Sequence, residues 1–117
     1  MDLSTLTSKQ ITADKRRGFH VDFATDAERV GQLEKDLIGL FGEVGEFANV
    51  LKKVRLKITQ SAYSGPSLSE ATAGLREELA DALIYLMRLS VILGGDLESD
   101  LISKMQKNDQ RYSQLEP

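Results

Sequence analysis

The segment "LADALIYLMRLSVIL", residues 79–93, places apolar side chains around most of the circumference of a helix. A helix of that kind is stable only when neighbouring elements cover it on several sides. A chain of 117 residues offers few such elements, so this segment constrains the fold more than any other. It predicts a helix inside a bundle, with a homodimer or a homotetramer completing the cover.

The rest of the chain predicts further helices and no strands, because no segment shows the alternation of β-branched residues that is typical of a sheet. "TDAE" at Thr25 and "SLSE" at Ser67 have the spacing of capping boxes, and Asp96 follows a pair of glycines. The expected helices lie within residues 3–17, 25–58, 67–93 and 96–112, with an extended connection over 19–24 and a loop over 59–67. The fold class is therefore all-α: a single four-helix domain over residues 1–117, in which residues 1–24 form an N-terminal helix and connection.

Composition narrows the classes of partner. A net charge of −3 disfavours nucleic acid, because phosphate backbones are bound through clustered Lys and Arg. No apolar run has the roughly 18 residues of a membrane span. The chain contains no cysteine and shows no secretory signal, so a cytoplasmic protein is expected.

The second helix carries paired carboxylates beside glycines. Glu43 and Glu46 lie three residues apart and project from one face. Each interior glycine costs about 1 kcal/mol relative to alanine, which indicates that Gly39 and Gly42 keep space open for these carboxylates. Gly45 is better explained by the close approach of another helix. Another side of this helix is expected to face the core, with Leu33, Leu37, Leu40, Phe41, Val44, Phe47, Ala48 and Leu51.

The third helix repeats the pair with Glu78 and Asp81. If the two polar strips face each other, four carboxylates converge, and a divalent cation relieves their repulsion. Oxygen ligands favour Mg²⁺ or Mn²⁺. The only histidine, His20, lies outside the Glu-x-x-His motif of di-iron bundles. Since Mg²⁺ is often completed by substrate phosphates, the pattern indicates a nucleotide or another polyphosphate as ligand.

Basic residues follow both pairs, and each has a plainer explanation. The run from Lys52 to Lys57 also suits the C-terminal turn of a helix. Arg88 also fits an ion pair with Asp81 or Glu77 on its own helix.

The surroundings of the two pairs, "GEVGEFANVLKK" and "EELADALIYL", resemble those of the MazG-like all-α nucleoside triphosphate pyrophosphohydrolases. This superfamily includes the dimeric dUTPases, the dCTP pyrophosphatases and the phosphoribosyl-ATP pyrophosphohydrolases. The resemblance covers residues 30–112. It implies a MazG-like bundle that hydrolyses a nucleoside triphosphate, as a house-cleaning hydrolase of dNTPs, to the monophosphate and pyrophosphate.

The resemblance also implies roles for individual residues. The metal ligands carried over are Glu43, Glu46, Glu78 and Asp81. Lys53 is carried over as a phosphate contact, and "KMQKNDQRY" resembles the phosphate-binding segment of the family through Lys107 and Asn108. Either Glu46 or Glu77 is the expected general base.

Some features stay open at the level of sequence. Gly42 stands where some family members have an extra acidic residue, so the number of metal ions is undetermined. The aromatic platforms for a base are Phe19, His20, Phe23 or Tyr112. The alternative function is a non-catalytic helical module that binds nucleotides or a partner and uses the carboxylates as a structural metal site.

Overall fold

Four helices and no strand make up the computed structural model of the chain, which describes residues 1–117. They are α1 (Leu3–Arg16), α2 (Asp26–Thr59), α3 (Leu68–Ile92) and α4 (Leu97–Tyr112), and a 3₁₀ turn follows over Ser113–Leu115. These limits confirm the expected all-α fold class and agree with the expected ends to within about two residues, the usual uncertainty of helix ends. No helix has the length and apolar character needed to cross a lipid bilayer.

Side-chain caps begin the helices where the sequence predicts them. The Thr25 hydroxyl accepts from the Glu28 amide at 3.2 Å, and Ser67 with Glu70 forms a complete capping box. Asp96 accepts from the amide of Glu98 at 3.1 Å. Each such cap satisfies a backbone donor that the helix leaves free and contributes about 1 kcal/mol.

The second and third helices form the central pair, and α1 packs across the end of α3. One cluster of buried side chains joins α2 to α3, and a second joins α1, the following connection and the end of α3. The first consists of Val54, Ala71 and Leu75, and the second of Ile11, Val21 and Ile92. The fourth helix contacts α1 and α3 but does not pack against α2. The polar strip of α2 therefore faces α3 alone.

Five of the eight α2 side chains that were expected to face the core are exposed in the single chain, so that expectation is wrong for them, whereas Leu33 and Phe47 pack against the buried clusters as expected. We define this α2 apolar face by Leu37, Phe41, Val44 and Leu51; Phe41 is 63% exposed. The side of α2 that packs against α3 carries Phe47, Val50 and Val54.

The third helix has an exposed apolar face as well, made by Leu79, Leu83 and Leu86. Only seven hydrophobic side chains are buried in the whole chain. The radius of gyration is 18.4 Å, against about 13 Å for a compact domain of this size. The single chain therefore leaves uncovered much of the apolar surface that its sequence places on these two helices.

Candidate active site

Three carboxylates meet between α2 and α3. One oxygen each from Glu43, Glu46 and Glu78 lies within 4.8 Å of the other two. Glu43 and Glu46 come from adjacent turns of α2, and Glu78 comes from the facing strip of α3, as the spacing predicts. None of the ion pairs in the chain involves these carboxylates, so their repulsion is not relieved by a basic side chain.

The protonation of Glu78 reflects this crowding. Its pKa is raised to about 7 because its carboxyl shares a hydrogen bond with Glu43, is partly removed from water, and lies beside the charge of Glu46. Its Oε2 atom is buried and has no hydrogen-bond partner. A buried acceptor without a donor is unfavourable. A cation bound here would neutralise the crowded carboxylates and would give this oxygen a partner. The cluster therefore fits a hard divalent ion with oxygen ligands.

The two other acidic residues expected here, Asp81 and Glu77, lie outside this cluster. Asp81 lines the same cavity as Glu43 but is not one of the three carboxylates that meet. Glu77 is exposed and belongs neither to the cluster nor to the cavity lining. The structure thus brings Glu46, and not Glu77, into the cluster.

The structural role of Gly39 differs from the expected one. A Cβ atom built on Gly39 would overlap the side-chain ring of Tyr85 on α3, whereas nothing lies within 4 Å of a Cβ at Gly42 or Gly45. Gly39 therefore makes room for an aromatic ring rather than for the carboxylates. Within the single chain nothing lies within 4 Å of a Cβ at Gly45, so this chain does not itself supply the close helix expected there.

A cavity of about 480 Å³ adjoins the acidic cluster, a size typical of sites for small molecules. Its lining combines aromatic side chains of the connection between α1 and α2 with polar side chains of α1, α2 and α3. These residues are Asp14, Gly18, Phe19, His20, Phe23, Gln32, Asp36, Glu43, Asp81, Ile84, Tyr85 and Arg88. Three of the four expected aromatic platforms, Phe19, His20 and Phe23, thus line the cavity, and we call them the aromatic wall; Tyr112 does not line it.

Arg88 lines this cavity and is held by a buried ionic network. Its Nε atom donates to Asp36 at 3.0 Å, and its Nη1 atom donates to Asp14 at 3.1 Å. Its expected pairing with Asp81 or Glu77 is therefore wrong. Separations of 52 and 74 residues along the chain hide these contacts from local sequence patterns. Removing one partner from a buried ion pair typically costs about 3–5 kcal/mol.

The basic residues stand apart from the cluster. Lys53 and Lys107 are exposed and Asn108 is half-buried, and the last two lie on α4, which does not contact α2. Lys57 donates to the carbonyl oxygens of Ser61 and Tyr63 at 3.4 and 3.3 Å. For Lys57, the plainer role at the end of a helix is confirmed.

Comparison with known proteins reveals clear relatives. The chain is 38% identical over 109 residues to dCTP pyrophosphatase 1 of Rattus norvegicus, and the match covers 90% of this chain and 61% of that protein. The proteins of the same name from Mus musculus and Homo sapiens are 37% and 35% identical over 109 residues, with the same coverage. The chain thus spans about three fifths of the length of these curated relatives. No protein-family model matches it, and no solved structure does.

Proposed function

We propose that the chain, which is 35–38% identical to dCTP pyrophosphatases, belongs to the MazG-like superfamily and hydrolyses a nucleoside triphosphate. The products are the nucleoside monophosphate and pyrophosphate, and the substrate is a deoxynucleotide of the cytoplasmic pool. The observation that carries this proposal is the meeting of three carboxylates beside a cavity of about 480 Å³. The relatives are named for dCTP, which makes dCTP the first substrate to test.

In this proposal the metal ligands are Glu43, Glu46 and Glu78, with Asp81 as a fourth at the cavity side. The ion is Mg²⁺ or Mn²⁺, as the oxygen donors favour. When bound, it supplies neutralisation of the phosphate charge. By holding the ion, the carboxylates of α2 and α3 would place the triphosphate end of the substrate at the cluster.

An oxygen of Glu46 that is not engaged by the ion orients the attacking water and accepts its proton. Water adds to phosphorus, the phosphoanhydride bond breaks, and pyrophosphate leaves with the bonding electron pair. We favour Glu46 over Glu77 because only Glu46 lies in the cluster, and a general base must reach the water within hydrogen-bond distance.

The cavity provides the place for the rest of the nucleotide. The wall formed by Phe19, His20 and Phe23 offers ring faces for stacking, and base stacking on aromatic side chains contributes about 1–3 kcal/mol per base. Polar groups that line the same cavity, among them Gln32, supply donors and acceptors for the base edge. The phosphates then extend toward Glu43.

We further propose that the working form is a homodimer or homotetramer, joined through the α2 and α3 apolar faces. Large exposed apolar patches mark interaction sites, and a second copy offers faces of the same kind. The phosphate contacts assigned to Lys53, Lys107 and Asn108 belong to this form. Because α4 does not contact α2 in one chain, Lys107 and Asn108 would reach the acidic cluster of a second copy.

Measuring phosphate release from each common NTP and dNTP, with Mg²⁺ or Mn²⁺ and with or without added pyrophosphatase, tests the activity. If the product is pyrophosphate, phosphate is detected only when pyrophosphatase is present. Glu46→Gln and Asp81→Asn should lose activity, Glu46→Gln by about 10²–10⁴-fold if it removes a general base. Glu34→Gln, an exposed carboxylate of α2 outside the site, serves as the matched control and should keep full activity.

The outcomes of this assay separate the two classes of function. Full activity in both site variants would contradict the assigned residues. Nucleotide binding that depends on Mg²⁺ but gives no turnover would favour the non-catalytic module with a structural metal site.

A further inference from the structure

The connection between α1 and α2, residues 17–25, contains no helix or strand, yet it supplies the aromatic wall of the cavity. Phe19, His20 and Phe23 all belong to it. A segment without regular structure gains no support from a backbone ladder, so other groups must hold it in place. The position of this wall relative to the acidic cluster decides whether a nucleotide that binds the metal can also contact the wall.

Besides the bond from the Phe19 amide to the carbonyl oxygen of Asp14 at 2.8 Å, the main chain of the connection is held by Arg88. Its Nη1 atom donates to the carbonyl oxygen of Phe19 at 3.1 Å, and its Nη2 atom donates to the carbonyl oxygen of His20 at 3.2 Å. These are the two residues whose side chains stand in the wall. With the bonds to Asp14 and Asp36, one guanidinium joins α1, the connection, α2 and α3.

The anionic partners are themselves held. Gln10 donates to Asp14 at 2.9 Å, and Gln32 donates to Asp36 at 3.0 Å. Arg88 and both aspartates are at most 6% exposed. A planar guanidinium can satisfy two carboxylates and two carbonyls at once, which the single ammonium group of lysine cannot do.

We propose that Arg88 is a positioning residue that sets affinity for the nucleoside part of the substrate by fixing the Phe19–His20 wall. The inference rests on the proposed function and adds a residue outside the metal cluster. Arg88 contacts none of the three clustered carboxylates, so it acts through the wall and not on the reacting atoms. Its loss therefore weakens nucleotide binding while the chemistry at the cluster continues.

The test compares Arg88→Lys with the wild type, using the dNTP that the wild type hydrolyses fastest. We expect KM to rise about tenfold or more, since a displaced wall loses ring stacking that strengthens nucleotide binding by about that factor, while kcat changes less than about threefold. Inorganic tripolyphosphate, which lacks a base and a sugar, is used as a competitor. Its inhibition constant should be the same in both proteins.

Two further variants guard against a purely structural explanation. Val54→Ala removes bulk from the buried cluster of α2 and α3, away from the cavity, and should lower the unfolding temperature with KM unchanged. Asp36→Asn keeps the shape of the side chain but removes its charge, and it provides the measurement if Arg88→Lys does not fold. Its KM should also rise.

Each outcome has a distinct meaning. If Arg88→Lys or Asp36→Asn folds with the KM of the wild type, or if the inhibition constant of tripolyphosphate rises as much as KM does, the positioning role is refuted and the proposed function stands. If Val54→Ala raises KM equally, the effect is general destabilisation and the inference is again refuted. If the wild type hydrolyses no nucleotide, the proposed function fails, and this inference fails with it.

Discussion

Metal binding should depend on pH through one side chain. The crowding of Glu78 by Glu43 and Glu46 raises its pKa to about 7, and a cation binds the ionised form. Competition from the proton therefore lowers the apparent affinity for the ion by a factor of 1 + 10^(pKa − pH). That factor is about 11 at pH 6 and about 1.1 at pH 8, so the apparent affinity for Mg²⁺ or Mn²⁺ should fall about tenfold between pH 8 and pH 6.

Calorimetric titration of the metal-free protein with Mn²⁺ at both pH values measures this effect without relying on turnover. Glu78→Gln should bind the ion more weakly at pH 8 and should lose the tenfold dependence, because an amide does not titrate in this range. Histidine side chains change charge in the same pH range, so His20→Gln is the control and should keep the dependence. Equal affinity of the wild type at pH 6 and pH 8, or a tenfold change that persists in Glu78→Gln, would refute the reasoning.

Three other results are expected. Gly39→Ala should be less stable than Gly74→Ala by about 1–3 kcal/mol in chemical denaturation, because only the first Cβ overlaps a ring, that of Tyr85; equal stabilities would show that the ring moves freely. In metal-free protein, the folded state holds the proton of Glu78 more tightly than the unfolded state does, so stability should fall as pH rises from about 4.5 to about 7, and the same titration of the unfolding temperature with saturating Mg²⁺ should show a smaller fall. Light scattering should find an oligomer for the wild type and a smaller species for Phe41→Glu; a wild-type monomer at micromolar concentration would contradict the proposed assembly.

The helix ends could be predicted because they depend on neighbours along the chain. The caps at Thr25, Ser67 and Asp96 each join a side chain to an amide two or three residues away. The spacing of three residues likewise predicted that Glu43 and Glu46 share one face. The pairing of that face with the polar strip of α3 could be predicted because charged side chains in an apolar helix need a partner.

What could not be predicted depends on contacts between distant segments. The sequence shows that α2 has an apolar side, but not that α3 would pack beside it and leave Phe41 exposed. It shows a glycine at position 39, but not the ring of Tyr85 against it. Arg88 pairs with Asp14 and Asp36, which lie on two other helices. No spacing rule selects these aspartates over the carboxylates of α3 that are nearer in sequence.

The exposed apolar faces have a consequence for how this protein responds to dilution. Few side chains are buried within one protomer. In the proposed oligomer, most of the apolar surface whose burial offsets the entropy cost of folding would therefore be buried between copies. Folding and association then form one equilibrium, and the midpoint of thermal unfolding rises with protein concentration. A sample diluted far enough would lose its helices and its subunit contacts together.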